Sequence, residues 1–212
     1  MTLAAVSMTW SVDRAAGIAA LALASLSVCL GLLQSRGVAA PKGQVRRDLR
    51  PIHEALSIAA LAAIGVHVVA FMADQYIGAG IADALVPFGS SYAPFAVGLG
   101  QLAFYGLVAF SLSFYARRRI GPARWRLAHR SVALFWLLAV VHAALIGTDA
   151  AATWLIAGLL PLVVAAAAGL AWTWSGRLGP AVPEGDGEPE LSRAAASRSA
   201  PARAARPVAR AR

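Results

Sequence analysis

The chain contains four histidines, and they form two pairs of nearly equal spacing. His53 and His67 are fourteen positions apart in "HEALSIAALAAIGVH", and His129 and His142 are thirteen apart in "HRSVALFWLLAVVH". A single histidine in a membrane helix usually hydrogen-bonds a backbone carbonyl or serves a proton path. Here every histidine of the chain belongs to such a pair, which indicates a shared purpose.

Two histidines that approach from opposite sides can close both axial positions of a haem iron. Neutral imidazole is a common iron ligand, and two imidazoles bring no net charge into an apolar environment. We therefore interpret the two pairs as the ligands of two haems. Packing or proton transfer is the alternative for each histidine taken alone.

The segments that carry the histidines are predicted to span a membrane. Of the 212 residues, 59% are hydrophobic and 14% are charged, and the mean hydropathy is +0.65. This composition excludes an ordinary soluble domain. Five stretches are long enough to cross about 30 Å of hydrocarbon at about 1.5 Å per residue, so we expect an all-α membrane bundle of five transmembrane helices. The five stretches are 15–33, 56–76, 95–115, 131–147 and 151–174.

The distribution of basic residues predicts the orientation of these spans. Lys and Arg concentrate in two segments, 36–50 and 117–130, which follow spans one and three. The loop 74–94 and the turn around Asp149 have none. By the positive-inside rule the N-terminus lies outside and the C-terminus lies in the cytoplasm. The same rule accounts for the net charge of +9 without a nucleic-acid partner.

This topology predicts the depth of each histidine. Spans two and four both run outward, so His53 and His129 share the inner depth (the inner pair), and His67 and His142 share the outer depth (the outer pair). At about 1.5 Å per residue, the two rings of span two lie roughly 21 Å apart along the helix.

The rotation of an ideal helix suits span two better than span four. Fourteen residues at about 100° each return to within about 40° of the same face, whereas thirteen residues miss it by about 140°. His129 and His142 can therefore converge only if the start of span four is tightened, for example by a 3₁₀ turn near His129, or if the haems approach from different sides.

Three arginines are predicted at the depth of the inner pair. They are candidates for contacts with haem propionates, because guanidinium groups bind carboxylates through paired hydrogen bonds. Setting the membrane topology is the alternative role for each of them. These residues are Arg50, Arg126 and Arg130.

Composition divides the chain into three segments. Residues 1–14 form a short N-terminal segment, 15–174 the five-span haem-binding domain, and 175–212 a tail rich in Ala, Arg and Pro. Because the tail has almost no large apolar residue, we expect it to be disordered in the cytoplasm.

The two histidine motifs on alternate spans resemble those of the ferric reductase-like transmembrane domain. NADPH oxidases, ferric reductases and the bacterial haem-binding subunits of methionine sulfoxide reductase systems share this domain. The resemblance covers roughly residues 49–147. It implies that His53 and His129 bind an inner haem b, and that His67 and His142 bind an outer one. It also implies a multi-pass b-type cytochrome of a bacterial plasma membrane, an oxidoreductase component in which no side chain needs to be catalytic.

The chain departs from the oxidases and the eukaryotic ferric reductases in two respects. Five spans are predicted instead of six, and no flavin- and NAD(P)H-binding domain is expected after the last span. The run "GAGIAD" from Gly78 lies in the outer loop with no strand before it, so it is not a dinucleotide fingerprint. Electrons are then expected from a separate cytoplasmic reductase, from FMN or FAD bound here or supplied by a partner, or from quinol. The acceptor at the outer face is left open.

Two other functions are compatible with the sequence. One is a small membrane transporter or scaffold subunit whose histidines serve proton transfer or packing. The other is a quinol-linked cytochrome of the b561 type, which is disfavoured because the ligands of that group are distributed differently over the spans.

Overall fold

The fold is a bundle of helices. A computed structural model of the chain describes residues 8–36, 44–74 and 77–175. Regular secondary structure within these ranges is α-helical throughout. The helices are α1 (Met8–Arg36), α2 (Gln44–Ala73), α3 (Ile81–Leu85), α4 (Pro94–Ile120), α5 (Pro122–His129), α6 (Val132–Ile146) and α7 (Thr153–Ser175).

Five helical segments are long and apolar enough to cross a membrane, which confirms the predicted all-α bundle of five transmembrane helices. The outward N-terminus and the cytoplasmic C-terminus stay predictions. The tail predicted to be disordered lies, from residue 176 onward, outside the described residues. The five segments are Met8–Ser35, Leu49–Ala73, Pro94–Ile120, Pro122–Ile146 and Thr153–Thr173.

The fourth span is longer than its apolar run and is divided into two helices. Gly121 has a φ of 92°, which glycine adopts without steric cost, and Pro122 then begins α5. A turn at Arg130 and Ser131 separates α5 from α6. Because α5 is polar in composition, the span predicted from continuous apolar residues began only at residue 131 and omitted α5.

Helix α1 occupies a central position in the bundle. It packs along α2 and also contacts α7 and α6, whereas α4 packs along α6 and α5. In the described part of the chain, α2 and α6 make at most marginal backbone contact, although both carry histidines. The two histidine-bearing helices are therefore held apart by their neighbours.

The core of the bundle is formed by small residues around one tryptophan. Ala24, Ala60 and Ala166 are buried together with Trp136, whose side chain is completely inaccessible to solvent. The Trp136 indole N–H donates a hydrogen bond of 2.9 Å to Oγ of Ser25. Because a buried polar group costs free energy unless it is paired, this bond permits a tryptophan in the core and links α6 to α1.

A short ordered loop follows α2 and contains α3. The Asp83 carboxylate accepts hydrogen bonds from the backbone N–H of Ser91 at 2.9 Å and of Gly80 at 3.0 Å. These bonds hold the pKa of Asp83 below its ordinary value, because they favour the ionised form. The Gln101 amide links the loop to α4 by donating to the Asp83 carbonyl at 2.8 Å.

Candidate functional site

The four histidine rings meet as two pairs across the space between α2 and the fourth span. The ring centroids of His53 and His129 are 6.4 Å apart, and those of His67 and His142 are 6.3 Å apart. The planes of the two rings are inclined by 88° in the inner pair and by 72° in the outer pair. The structure thus brings together the same partners that the depth argument combined.

Each histidine uses the same ring nitrogen to contact the backbone of a neighbouring helix. A carbonyl can only accept, so Nδ1 carries the hydrogen in each ring, and Nε2 is left with its lone pair. Within the described residues, none of the four Nε2 atoms has a hydrogen-bond partner. The accepting carbonyls belong to Ser27 for His53 (2.9 Å), Asp13 for His67 (3.0 Å), Phe110 for His129 (3.3 Å) and Ala96 for His142 (2.7 Å).

This geometry fits a metal ion held between the two rings of a pair. Imidazole nitrogen binds a first-row metal ion such as zinc at about 2.0–2.1 Å. Two such bonds, plus the distance from the bonding nitrogen to the ring centre in each histidine, predict a centroid separation of about 6 Å. The observed centroid separations of 6.4 Å and 6.3 Å agree with that sum. Within the described ranges no group of three or more His, Cys, Asp or Glu side chains could hold a metal ion. Two ligands alone suit a porphyrin, which supplies the other four nitrogens.

Glycines make room for three of the four rings. A Cβ on Gly31 would lie 3.3 Å from His53 Cε1, and a Cβ on Gly17 would lie 3.2 Å from His67 Cε1. A Cβ on Gly100 would lie only 2.7 Å from His142 Nδ1. Sequence reasoning missed these glycines, although Gly17 and Gly31 on α1 repeat the fourteen-residue spacing of the histidines that they face on α2.

The turn between α5 and α6 resolves the angular problem of the fourth span. Around it, four backbone N–H groups bond to the third preceding carbonyl instead of the fourth. Such 3₁₀-type bonds wind the backbone more tightly and rotate the later residues further. His129 ends α5, and His142 lies on α6, so the tightened turn lies between them as the first of the two predicted alternatives requires. The donors are Arg130, Ser131, Ala133 and Leu134.

A cavity of about 1290 Å³ opens beside the inner pair. This volume exceeds the roughly 300–1,000 Å³ of typical small-molecule pockets. His53 and His129 both line the cavity, and so do all three arginines that were predicted to contact propionates. These are Arg50, Arg126 and Arg130, and all three are exposed.

One aromatic ring stacks on the inner pair, and two more stack on each other between the levels of the two pairs. Trp125 stacks on His129 with ring centroids 4.9 Å apart, and its indole N–H donates to Ser113 Oγ at 3.1 Å. Further along the span, Phe135 stacks on Phe110 at 5.5 Å, and the ring of Phe135 lies directly over the backbone of Gly106. The role of Trp125 beside His129 was not predicted, because nothing in its spacing separates it from a packing residue.

The outer pair has a carboxylate in direct contact with one of its rings, whereas the acidic residue beside the inner pair, Glu54, follows His53 in the chain and is exposed. Asp13 Oδ1 lies 2.8 Å from His67 Nδ1. The next residue, Arg14, forms an ion pair with Asp149 in the turn between α6 and α7. The sequence did not predict this contact, because Asp13 and His67 lie 54 positions apart and no local pattern links them.

The comparisons with known proteins agree with the histidine motifs. The family model described as "Ferric reductase like transmembrane component" matches residues 16–140, which is more than half of the chain. The match includes His53, His67 and His129 and ends two residues before His142. No curated protein and no solved structure matches the chain. The resemblance inferred from the paired histidines is thereby confirmed, and the chain belongs to the ferric reductase-like transmembrane component family.

Proposed function

We propose that the protein is a membrane b-type cytochrome that carries electrons across the bilayer through two haems, each held by two histidines. The observation that carries this proposal is the equal separation of the two histidine pairs, 6.4 Å and 6.3 Å between ring centroids. The family match supports the coarser statement that the chain is a transmembrane electron-transfer component.

In this proposal the histidine side chains bind iron through Nε2. His53 and His129 hold the inner haem, and His67 and His142 hold the outer one. The hydrogen bonds from Nδ1 to backbone carbonyls keep each ring in the required tautomer and orientation, which is the usual effect of a second interaction on a metal-binding histidine. When bound, a haem supplies a one-electron ferric/ferrous couple whose potential depends on its ligands and surroundings.

Other residues of the site separate the two haem positions and orient the haems. The spacing of His53 and His67 sets the two positions roughly 21 Å apart along α2. Phe110 and Phe135 fill the level between them with apolar rings and exclude water there. Arg50, Arg126 and Arg130, which line the cavity and are exposed, would hold the propionates of an inner haem.

The direction of transfer follows from the predicted topology. Electrons enter on the cytoplasmic side from a separate reductase, from FMN or FAD, or from quinol, and leave toward an acceptor at the outer face. The concentration of Arg and Lys in 36–50 and 117–130 supports this orientation in a bacterial plasma membrane. Residues 1–14, 15–174 and 175–212 act in this proposal as an N-terminal segment, a haem-binding domain and a cytoplasmic tail.

The test is the haem content of the purified protein. The full chain in detergent is expected to hold two haems and to give a b-type reduced-minus-oxidised absorption spectrum. Each of His53→Ala, His67→Ala, His129→Ala and His142→Ala should lower the content to about one haem per chain. Ser111→Ala, which changes another residue lining the inner cavity, is the matched control and should keep both haems.

Two results would contradict the proposal. A colourless wild-type protein would favour the transporter or scaffold interpretation, in which the histidines serve proton transfer or packing. Loss of the same haem in His53→Ala and His67→Ala would show that the pairs are not combined by depth.

A further inference from the structure

The two histidine pairs have similar geometry but different charges around them. His53, His129 and His142 direct Nδ1 only toward uncharged acceptors, which are backbone carbonyls and, for His53, also the Ser27 hydroxyl at 3.0 Å. Nδ1 of His67 meets two oxygens of one residue, the carbonyl of Asp13 at 3.0 Å and its carboxylate Oδ1 at 2.8 Å. Among the four rings, His67 therefore differs from the others in having a carboxylate oxygen beside Nδ1.

The Asp13 carboxylate has little else to compensate its burial. Oδ1 is buried and has no hydrogen-bond partner among the described residues. The neighbouring cation does not neutralise it, because both Nε and Nη2 of Arg14 bind the carboxylate of Asp149. The guanidinium of Arg14 also lies 5.0 Å from the centre of the Trp10 ring. His67 Nδ1 is thus the polar atom in contact with Asp13 Oδ1, while its N–H donates to the Asp13 carbonyl.

We propose that Asp13 is a positioning residue for His67 and that its carboxylate lowers the reduction potential of the outer haem site relative to the inner one. This inference rests on the proposed function. A carboxylate at Nδ1 fixes the ring and raises the basicity of the ligand. Its negative charge also favours the ferric over the ferrous state, because the ferric iron carries one more positive charge and Coulomb attraction is strong in a poorly hydrated site.

Substitutions of Asp13 can distinguish the effect of its charge from the effect of its hydrogen-bonding oxygens. In Asp13→Asn the backbone carbonyl and the amide oxygen can both still accept from His67 Nδ1, so the ring keeps its support while the charge is lost. Asp13→Glu keeps the charge. Asp83→Asn is the matched control, since it removes a carboxylate from the loop between α2 and α4 that does not contact a histidine.

The experiment is a redox titration of the full-length protein in detergent, followed by its absorption spectrum, with haem per chain measured on each sample. The outer potential is assigned with the double variant His53→Ala/His129→Ala, which retains the outer pair alone. Asp13→Asn should shift the ferric/ferrous equilibrium of the outer haem at least tenfold toward ferrous, which is about 59 mV for a one-electron couple. The inner potential should not move, and Asp83→Asn should change neither.

The outcomes separate this inference from the proposed function. A wild-type protein without haem overturns both. Two haems in the wild type, with an outer potential that Asp13→Asn leaves unchanged or moves no more than the inner one, overturns the inference alone. If Asp13→Asn loses the outer haem, Asp13→Glu decides: an outer haem kept at the wild-type potential supports the role of the carboxylate, and a lost haem or a raised potential refutes it.

Discussion

In the proposed cytochrome, replacement of Gly100 by alanine should expel the outer haem while leaving the inner one in place. The new Cβ would lie 2.7 Å from Nδ1, 2.8 Å from Cε1 and 3.1 Å from Cγ of His142. Ordinary van der Waals contact begins at 3.4 Å, so the ring has to retreat by about 0.7 Å. Functional sites are held to within about 0.5 Å of their working geometry, and the expected displacement exceeds that tolerance.

The energetic effect combines two opposing contributions. Alanine in place of a helical glycine stabilises a helix by about 0.5–1 kcal/mol, whereas overpacking of a filled site costs about 1–3 kcal/mol. The ring cannot swing aside as a flexible chain end would, because its Nδ1 is bonded to the Ala96 carbonyl at 2.7 Å. The net effect should therefore be a loss of stability together with a loss of the outer haem.

A graded series of variants provides the controls. Gly17→Ala and Gly31→Ala would bring Cβ to 3.2 Å and 3.3 Å from the nearest histidine atom, so a small shift of the ring accommodates them. Gly65→Ala on α2 has no atom within 4 Å of the new Cβ and should keep both haems.

The assay is haem per chain from the reduced-minus-oxidised spectrum, with helical content by circular dichroism as the measure of folding. We expect about one haem for Gly100→Ala and about two for Gly65→Ala, with Gly17→Ala and Gly31→Ala near two but with shifted potentials. Two haems with unaltered potentials in Gly100→Ala would refute the argument that this glycine provides the space for His142.

Three further predictions concern the core, the inner cavity and the loop after α2. Trp136→Phe should lower the free energy of unfolding in denaturing detergent by about 1–3 kcal/mol, because it leaves a buried hydroxyl without its donor, and adding Ser25→Ala should recover part of that loss. Arg126→Gln should speed loss of the inner haem to a haem acceptor, whereas Arg124→Gln, outside the cavity lining, should not; equal rates would count against a propionate contact. Because the pKa of Asp83 is lowered in the fold, the stabilisation that it gives is complete above the pKa of the unfolded carboxyl and is lost as the pH falls through the lower folded value. Limited proteolysis of the loop should therefore become faster in acid for the wild type, and Asp83→Asn should be cleaved rapidly at every pH.

The sequence was sufficient to predict the fold class and the pairing of the histidines. Hydropathy gives the number of spans, and because successive spans alternate in direction, spans two and four run the same way. The side from which each span starts stays a prediction from the arginines. Direction and residue number together predict relative depth, and this pairs His53 with His129 from the sequence alone. The inclusion of α5 in the fourth span was missed, because its arginines lower the local hydropathy although the helix continues the span.

Contacts between distant parts of the chain could not be predicted. Asp13 reaches His67 only because α1 and α2 run in opposite directions side by side, and a single sequence gives no signal for the rotation of one helix against another. The glycines of α1 are an intermediate case. The fourteen-residue interval between Gly17 and Gly31 is visible in the sequence, but its meaning becomes clear only when α1 lies against the two histidines of α2.

Helix α7, the last of the chain, packs against α1, the first. The surroundings of α1 therefore combine helices from the beginning and the end of the chain. The ribosome releases α1 and α2 first, then α4 to α6, and only afterwards the helix that completes the surroundings of α1. The opening between α2 and α6 is consequently bordered by helices from early and late synthesis. Delivery of the proposed haems during insertion would therefore have to wait for at least four spans. A nascent chain arrested before α5 would therefore present His53 and His67 without their opposing ligands, and stable capture of both proposed haems should be complete only once His142 has entered the bilayer.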